Sequence, residues 1–140
     1  MTQDQPAPPS TSRDTLPAES AFRASEGRLR KQLFVVVSTA NRPVADLKPN
    51  LPDHLAYLAD LERSGELFMA GPLMNEDPTT WSGDGLLIYA ADSYERAAHI
   101  AANDPLHATG VRSYAIRPWL LNDGSLRLTI SWSTQAAGLP

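Results

Sequence analysis

"LPDHLAYLADLERSGELFMAG", Leu51–Gly71, decides the fold. Leu51, Leu55, Leu58 and Leu61 recur at steps of four, three and three, which draws one apolar stripe along a helix. Asn50 is the expected N-cap, with Pro52 and Asp53 in the first turn, where a proline ring and a carboxylate are both favourable. Gly65 is the expected C-cap. Directly after it, Glu66–Gly71 reads as a strand that Gly71-Pro72 stops.

The flanks extend that pattern. "LFVVVS", Leu33–Ser38, is short, apolar and β-branched, so it reads as a buried strand. "TANRPVADLKPN", Thr39–Asn50, is a loop with two prolines and two asparagines. "PLMNEDPTTWSGDG", Pro72–Gly85, is polar and turn-forming. "LLIYAA", Leu86–Ala91, is a third strand. "DSYERAAHIAAND", Asp92–Asp104, is a second helix; Asp92 and Glu95 have capping-box spacing, and Tyr94, Ala97, Ala98 and Ala101 form a flat face. Asp104-Pro105 ends it, because a residue before proline avoids the α region. "VRSYAIRPW", Val111–Trp119, is a fourth strand, with Val111, Ser113, Ala115 and Arg117 on one side and Arg112, Tyr114 and Ile116 on the other. In "SLRLTISWS", Ser125–Ser133, Leu126, Leu128, Ile130 and Trp132 alternate with polar residues, as in a strand with one buried face.

The order is a ferredoxin-like βαββαβ unit: an antiparallel sheet with both helices on one face, plus an extra C-terminal strand. Residues 32–122 form this domain. Residues 1–31 read as a mobile tail poor in apolar side chains, with a short helix within Pro17–Lys31 that Gly27 weakens. Residues 123–140 read as an extension whose strand lengthens a sheet or bridges two subunits. The four main strands are apolar on both faces, and two helices cover only one of them. A soluble monomer rarely exposes such a patch, so a homodimer stacked sheet to sheet is expected.

The chain has 140 residues, one domain's worth, and a net charge of -4. That balance argues against a nucleic-acid or anionic-membrane surface. Arg28, Arg30 and Lys31 are the one basic cluster, and a solvated helix end accounts for them. The chain has no cysteine, which removes disulfides and thiolate chemistry. No apolar run reaches ~18 residues, and the first residues do not look like a signal peptide. A cytoplasmic location is expected. The three histidines, His54, His99 and His107, show neither HxH nor HExxH spacing, so no metal site is expected. "GDG" at Gly83 lacks the helix and Lys of a phosphate loop, and no cofactor is expected. His99, four past Glu95, is most simply half of a surface helical pair.

In order along the chain, "LFVVV", "HLAYLADLERSGEL", "MAGPL", "GLLIY", "DPLHATGV" and "SYAIRPW" resemble the YCII-related (YciI-like) family, over Leu33 to Trp119. The resemblance implies a dimeric α+β barrel, in which two ferredoxin-like sheets stack. It also implies an active site pairing the helix histidine with the aspartate of the Asp-Pro turn, here His54 and Asp104. The chain departs from the pattern in its long tails and in Leu106, where an aromatic is common.

A histidine bonded to a carboxylate is a positioned acid or base. The positive end of the helix favours the neutral ring of His54, and a nearby Asp104 the charged one. Each residue also has a plainer reading: His54 borders an apolar helical face, and Asp104 is a helix stop. Around them, Ser38 could donate a hydrogen bond into the cleft or simply end a strand. Gly71 would admit a close ligand, with Pro72 as a wall. His107, three past Asp104, reaches the same cleft or sits in solvent on a loop. Tyr114 and Trp119 are pocket walls, core or dimer interface. The resemblance points to a cofactor-independent lyase, isomerase or dehalogenating enzyme acting on a small, aromatic-derived compound. A non-catalytic small-ligand-binding dimer is the alternative, and an accessory partner acting through its tails a third.

Overall fold

β1 (Lys31–Ala40) runs through the middle of the domain, paired antiparallel with a strand on each side. The structure is a computed structural model and describes residues 14–139; the first part of the expected N-terminal tail, residues 1–13, lies outside the described residues. β2 (Leu67–Pro72), β3 (Gly85–Tyr89) and β4 (Arg112–Leu121) complete a four-stranded sheet in the order β2-β3-β1-β4. Every pairing is antiparallel, which is the expected ferredoxin-like topology.

α2 (Leu51–Ser64) and α3 (Tyr94–Asn103) cover one sheet face. There Phe34, Val36, Leu87 and Tyr89 meet Leu61 of α2 and Ala97, Ile100 and Ala101 of α3. Gly65 is left-handed (φ 81°) and caps α2, as expected. Two caps differ from the reading. α3 is capped by Ser93, whose hydroxyl accepts from the Arg96 N–H, one residue after the expected Asp92. Asn50 makes no side-chain cap, because Val44–Asn50 is a 3-10 helix that runs straight into α2. The segment taken as a loop is therefore helical. It supplies carbonyl acceptors to the first turn of α2, Lys48 O accepting from the Leu51 N–H, and dilutes that terminus as an isolated positive end. Leu47 of this segment packs with Leu106 and Val111 as a second core.

Gly83 explains the "GDG" turn sterically. Its φ is 99°, and a Cβ there would stand 3.0 Å from that of Ala40 and 3.3 Å from a methyl of Leu47.

The other sheet face carries Val35, Val37, Leu86, Ile88, Ala115 and Trp119 around an open depression of about 470 Å³. Among the described residues, no helix covers these side chains. α1 (Ala18–Ala24) is shorter than expected and buries none of its residues. The segment after it ties to the end of β4: Asn122 Nδ2 donates to Ser25 Oγ at 2.7 Å, and Arg28 pairs with Asp123. The C-terminal extension corrects the reading of a strand with one buried face. It forms only β5 (Thr129–Ile130) against β6 (Ala137–Gly138), in a separate two-stranded ribbon. Leu126, Leu128, Ile130 and Trp132 are all exposed, Trp132 at 93%. Two paired residues cannot bury a face, so the alternating pattern lacks a surface within one chain.

Candidate active site

Three leucines of the α2 stripe stay short of full burial, Leu58 packing against the edge of the core. Leu51, Leu55 and Leu58 wall a cleft of about 270 Å³ between α2 and the β2–β3 side of the sheet. Leu87 and Trp81 line its other side, with Gly71 and Pro72 at the end of β2. His54 and Arg112 are its two basic side chains.

His54 stands in the first turn of α2 and is buried. Its Nδ1 lies 2.8 Å from Asp104 Oδ1. An ionised carboxylate only accepts, so Nδ1–H donates and Nε2 is the nitrogen left for the cleft. Asp104 has no exposed surface. It caps α4 (Pro105–Ala108), and the same Oδ1 accepts from the Leu106 N–H at 2.9 Å. The Asp-Pro turn thus does three things: it ends α3, starts α4 and presents a carboxylate behind the imidazole. Asp104 Oδ2 is enclosed with no hydrogen-bond partner among the described residues. The buried Tyr89 hydroxyl has none either; burial and then the Asp104 charge push this phenol upward, so it stays protonated.

Ser38 and His107 are also brought together, though neither lines the cleft. Ser38 points to the helix-covered side of β1, and its Oγ lies 2.7 Å from His107 Nε2. The other ring nitrogen of His107 lies 2.7 Å from the Ala101 carbonyl, so Nδ1 carries a proton. Burial pushes His107 below the usual histidine range, and the bond to Ala101 opposes it. With the ring neutral, Ser38 donates to Nε2. His107 is therefore buried on α4 rather than exposed on a loop, stacked at 4.5 Å on Tyr114. Trp119 lies on the open sheet face, and His99 is exposed on α3. Among the described residues, no group of three or more His, Asp or Glu side chains could hold a metal ion. No helix there is long and apolar enough to cross a membrane.

The sequence reading missed two cleft residues. Trp81 sits in the segment taken as polar turn; its indole N–H donates to the Asp84 carbonyl at 2.7 Å, which fixes the ring at the cleft. Arg112 had a signal: it shares strand parity with Tyr114 and Ile116, a cation on the inward side of an apolar strand. At 6% exposure it is buried, and burial pulls its guanidinium below the usual arginine range, opposed by Asp104 and then Asp84.

Comparison with solved structures finds similarity to the 5-chloro-2-hydroxyhydroquinone dehydrochlorinase TftG from Burkholderia phenoliruptrix AC1100, in complex with 2,5-dihydroxybenzoquinone. The TM-score is 0.50 at 22% identity, over 61% of this chain and 92% of that one. At that identity the likeness is one of fold. A comparison with curated proteins finds no match. A family model for the YCII-related domain matches residues 33–120, from β1 through β4, with His54 and Asp104 inside the match. On that span, the chain belongs to the YCII-related family.

Proposed function

We propose that this chain is a cofactor-independent enzyme in which His54 moves a proton and Asp104 orients it. One observation carries the reading. The imidazole lines a small apolar cleft while its far nitrogen is held at 2.8 Å by a fully buried carboxylate. A bound carboxylate fixes ring orientation and tautomer and stabilises the imidazolium once a proton arrives.

The reaction class is elimination or isomerisation on a small hydroxylated, aromatic-derived compound, with dehalogenating elimination favoured. The similar fold of TftG, named for a dehydrochlorination, supports this direction. In the elimination, His54 Nε2 takes an acidic proton from the substrate. The electron pair of the broken bond to hydrogen becomes a new π bond. The leaving group departs with the pair of its own bond, and the imidazolium returns its proton to solvent or to the leaving anion. No electrons enter or leave. The working unit is proposed to be a homodimer stacked through the open sheet face, with residues 123–140 reaching across it.

Chlorinated and hydroxylated aromatics are the compounds to screen, reading chloride release and absorbance. Wild type is expected to turn one over, and His54→Ala to lose about 100-fold or more while still binding it. Full activity in His54→Ala overturns the assignment. Binding without turnover by wild type, across the panel, makes the protein a small-ligand-binding dimer instead.

A further inference from the structure

Arg112 is a buried cation that the proton-transfer reading leaves without a task. It opens β4 on the helix-covered side, is 6% exposed and lines the cleft beside His54. Its Nε–H is enclosed with no hydrogen-bond partner among the described residues. Among the described residues the ion pairs are Arg23–Glu19, Arg28–Asp123, His54–Asp104, Arg63–Asp60 and Arg96–Glu66, and none uses Arg112. Asp104 and Asp84 act on it only through space, and each already has an oxygen engaged, Asp104 by His54 and Leu106, Asp84 by the Ala40 N–H. β3 makes room for the group: a Cβ at Gly85 would stand 3.0 Å from Arg112 Nη1.

A buried charge is costly unless something of opposite sign meets it. The rest of the cleft cannot, since none of the other residues lining it is acidic and most are apolar. An incoming ligand can. We propose that Arg112 is the anion-binding end of the cleft, so that the substrate is a small planar molecule with an apolar body and an anion shared over two oxygens. The guanidinium fork matches such an anion, and the burial of Arg112 strengthens the bond. A volume of about 270 Å³ suits a single substituted ring. Carboxylates fit this description. So do ionised hydroxyquinones, in which conjugation spreads the charge over two oxygens. The assignment rests on the reading of the cleft as a small-compound site, and adds that the compound enters as an anion with its ring against His54.

Isothermal titration of the full chain tests this without any turnover. The probes are benzoate against neutral benzamide, and 2,5-dihydroxybenzoquinone against its neutral 2,5-dimethoxy analogue. Wild type is expected to prefer the anion of at least one pair by about tenfold or more, the usual scale of a charge-assisted hydrogen bond. The pair with the larger preference identifies the source of the anion. Arg112→Met should erase the preference and Arg112→Lys keep part of it, with circular dichroism melts confirming that both fold. Equal binding, or no binding, of anion and neutral partner in both pairs by wild type overturns the proposal. So does an unchanged preference in a folded Arg112→Met. The two readings can fail separately: His54→Gln is expected to stop turnover yet retain the anion preference.

Discussion

At the scale of residues, the His54–Asp104 pair makes a sharp claim about where a proton sits. Nitrogen-15 NMR of the neutral ring should show it on Nδ1, and finding it on Nε2 would contradict the hydrogen bond to the carboxylate. Asp104→Asn isolates the charge, because an amide oxygen still caps α4 and accepts from Leu106. Activity is expected to fall about tenfold or more, but less than in His54→Ala. His107 governs stability rather than chemistry. Burial holds its folded form below the ordinary histidine value, while the unfolded ring protonates near ~6.5. Below that pH the unfolded state binds the extra proton, so stability should drop as pH falls through ~6.5 and level off beneath the folded value. Urea midpoints at pH 7.5 and 5.5 check this, and the drop should shrink in His107→Gln. Both histidines were visible in the sequence as candidates, but their partners were not equally visible. The Asp-Pro turn announces Asp104 through its backbone chemistry. Ser38–His107 depends on contacts between a distant strand and helix, which local spacing does not encode, and Arg112 showed only as a cation of inward strand parity, with nothing to say that it met the cleft.

At the scale of elements, short-range rules located most boundaries. The left-handed C-cap at Gly65 follows from the residue type, and Gly65→Ala should cost about 1 kcal/mol in a thermal melt. Ser93→Ala should cost about as much by freeing the Arg96 N–H. Arg96 also reaches back to Glu66 with two bonds of 2.7 and 2.8 Å, joining α3 to the start of β2. That fork helps explain why the cap falls at Ser93: the first turn of α3 is placed by a tertiary contact as well as by local sequence. The 3-10 segment escaped for a similar reason. Two prolines and two asparagines read as loop, and only the packing of Leu47 on Leu106 and Val111 selects the helical form. The α2 stripe was legible as a stripe. That its N-terminal half roofs a cleft, while Leu61 is buried in the core with Leu58 packed against it, became visible only with the sheet in place.

At the scale of the whole molecule, the βαββαβ order was readable because each element carries its own periodicity, and an antiparallel sheet with helices on one face follows from that order. The C-terminal strand was not, because its alternating leucines need a surface that one chain does not supply. The uncovered sheet face and this exposed strand are two halves of one expectation. Trp119→Asp, on that face, should turn a dimer into a monomer by light scattering while leaving the domain folded. An unchanged mass would remove the stacked-sheet assembly.

The three tryptophans are divided among these surfaces. Trp81 borders the cleft, Trp119 lies on the bare side of the sheet, and Trp132 stands in solvent on the extension. The protein therefore carries three built-in fluorescent reporters with separate audiences. Variants keeping one indole each would report ligand entry, subunit pairing and docking of the tail as independent optical signals from an otherwise unlabelled chain.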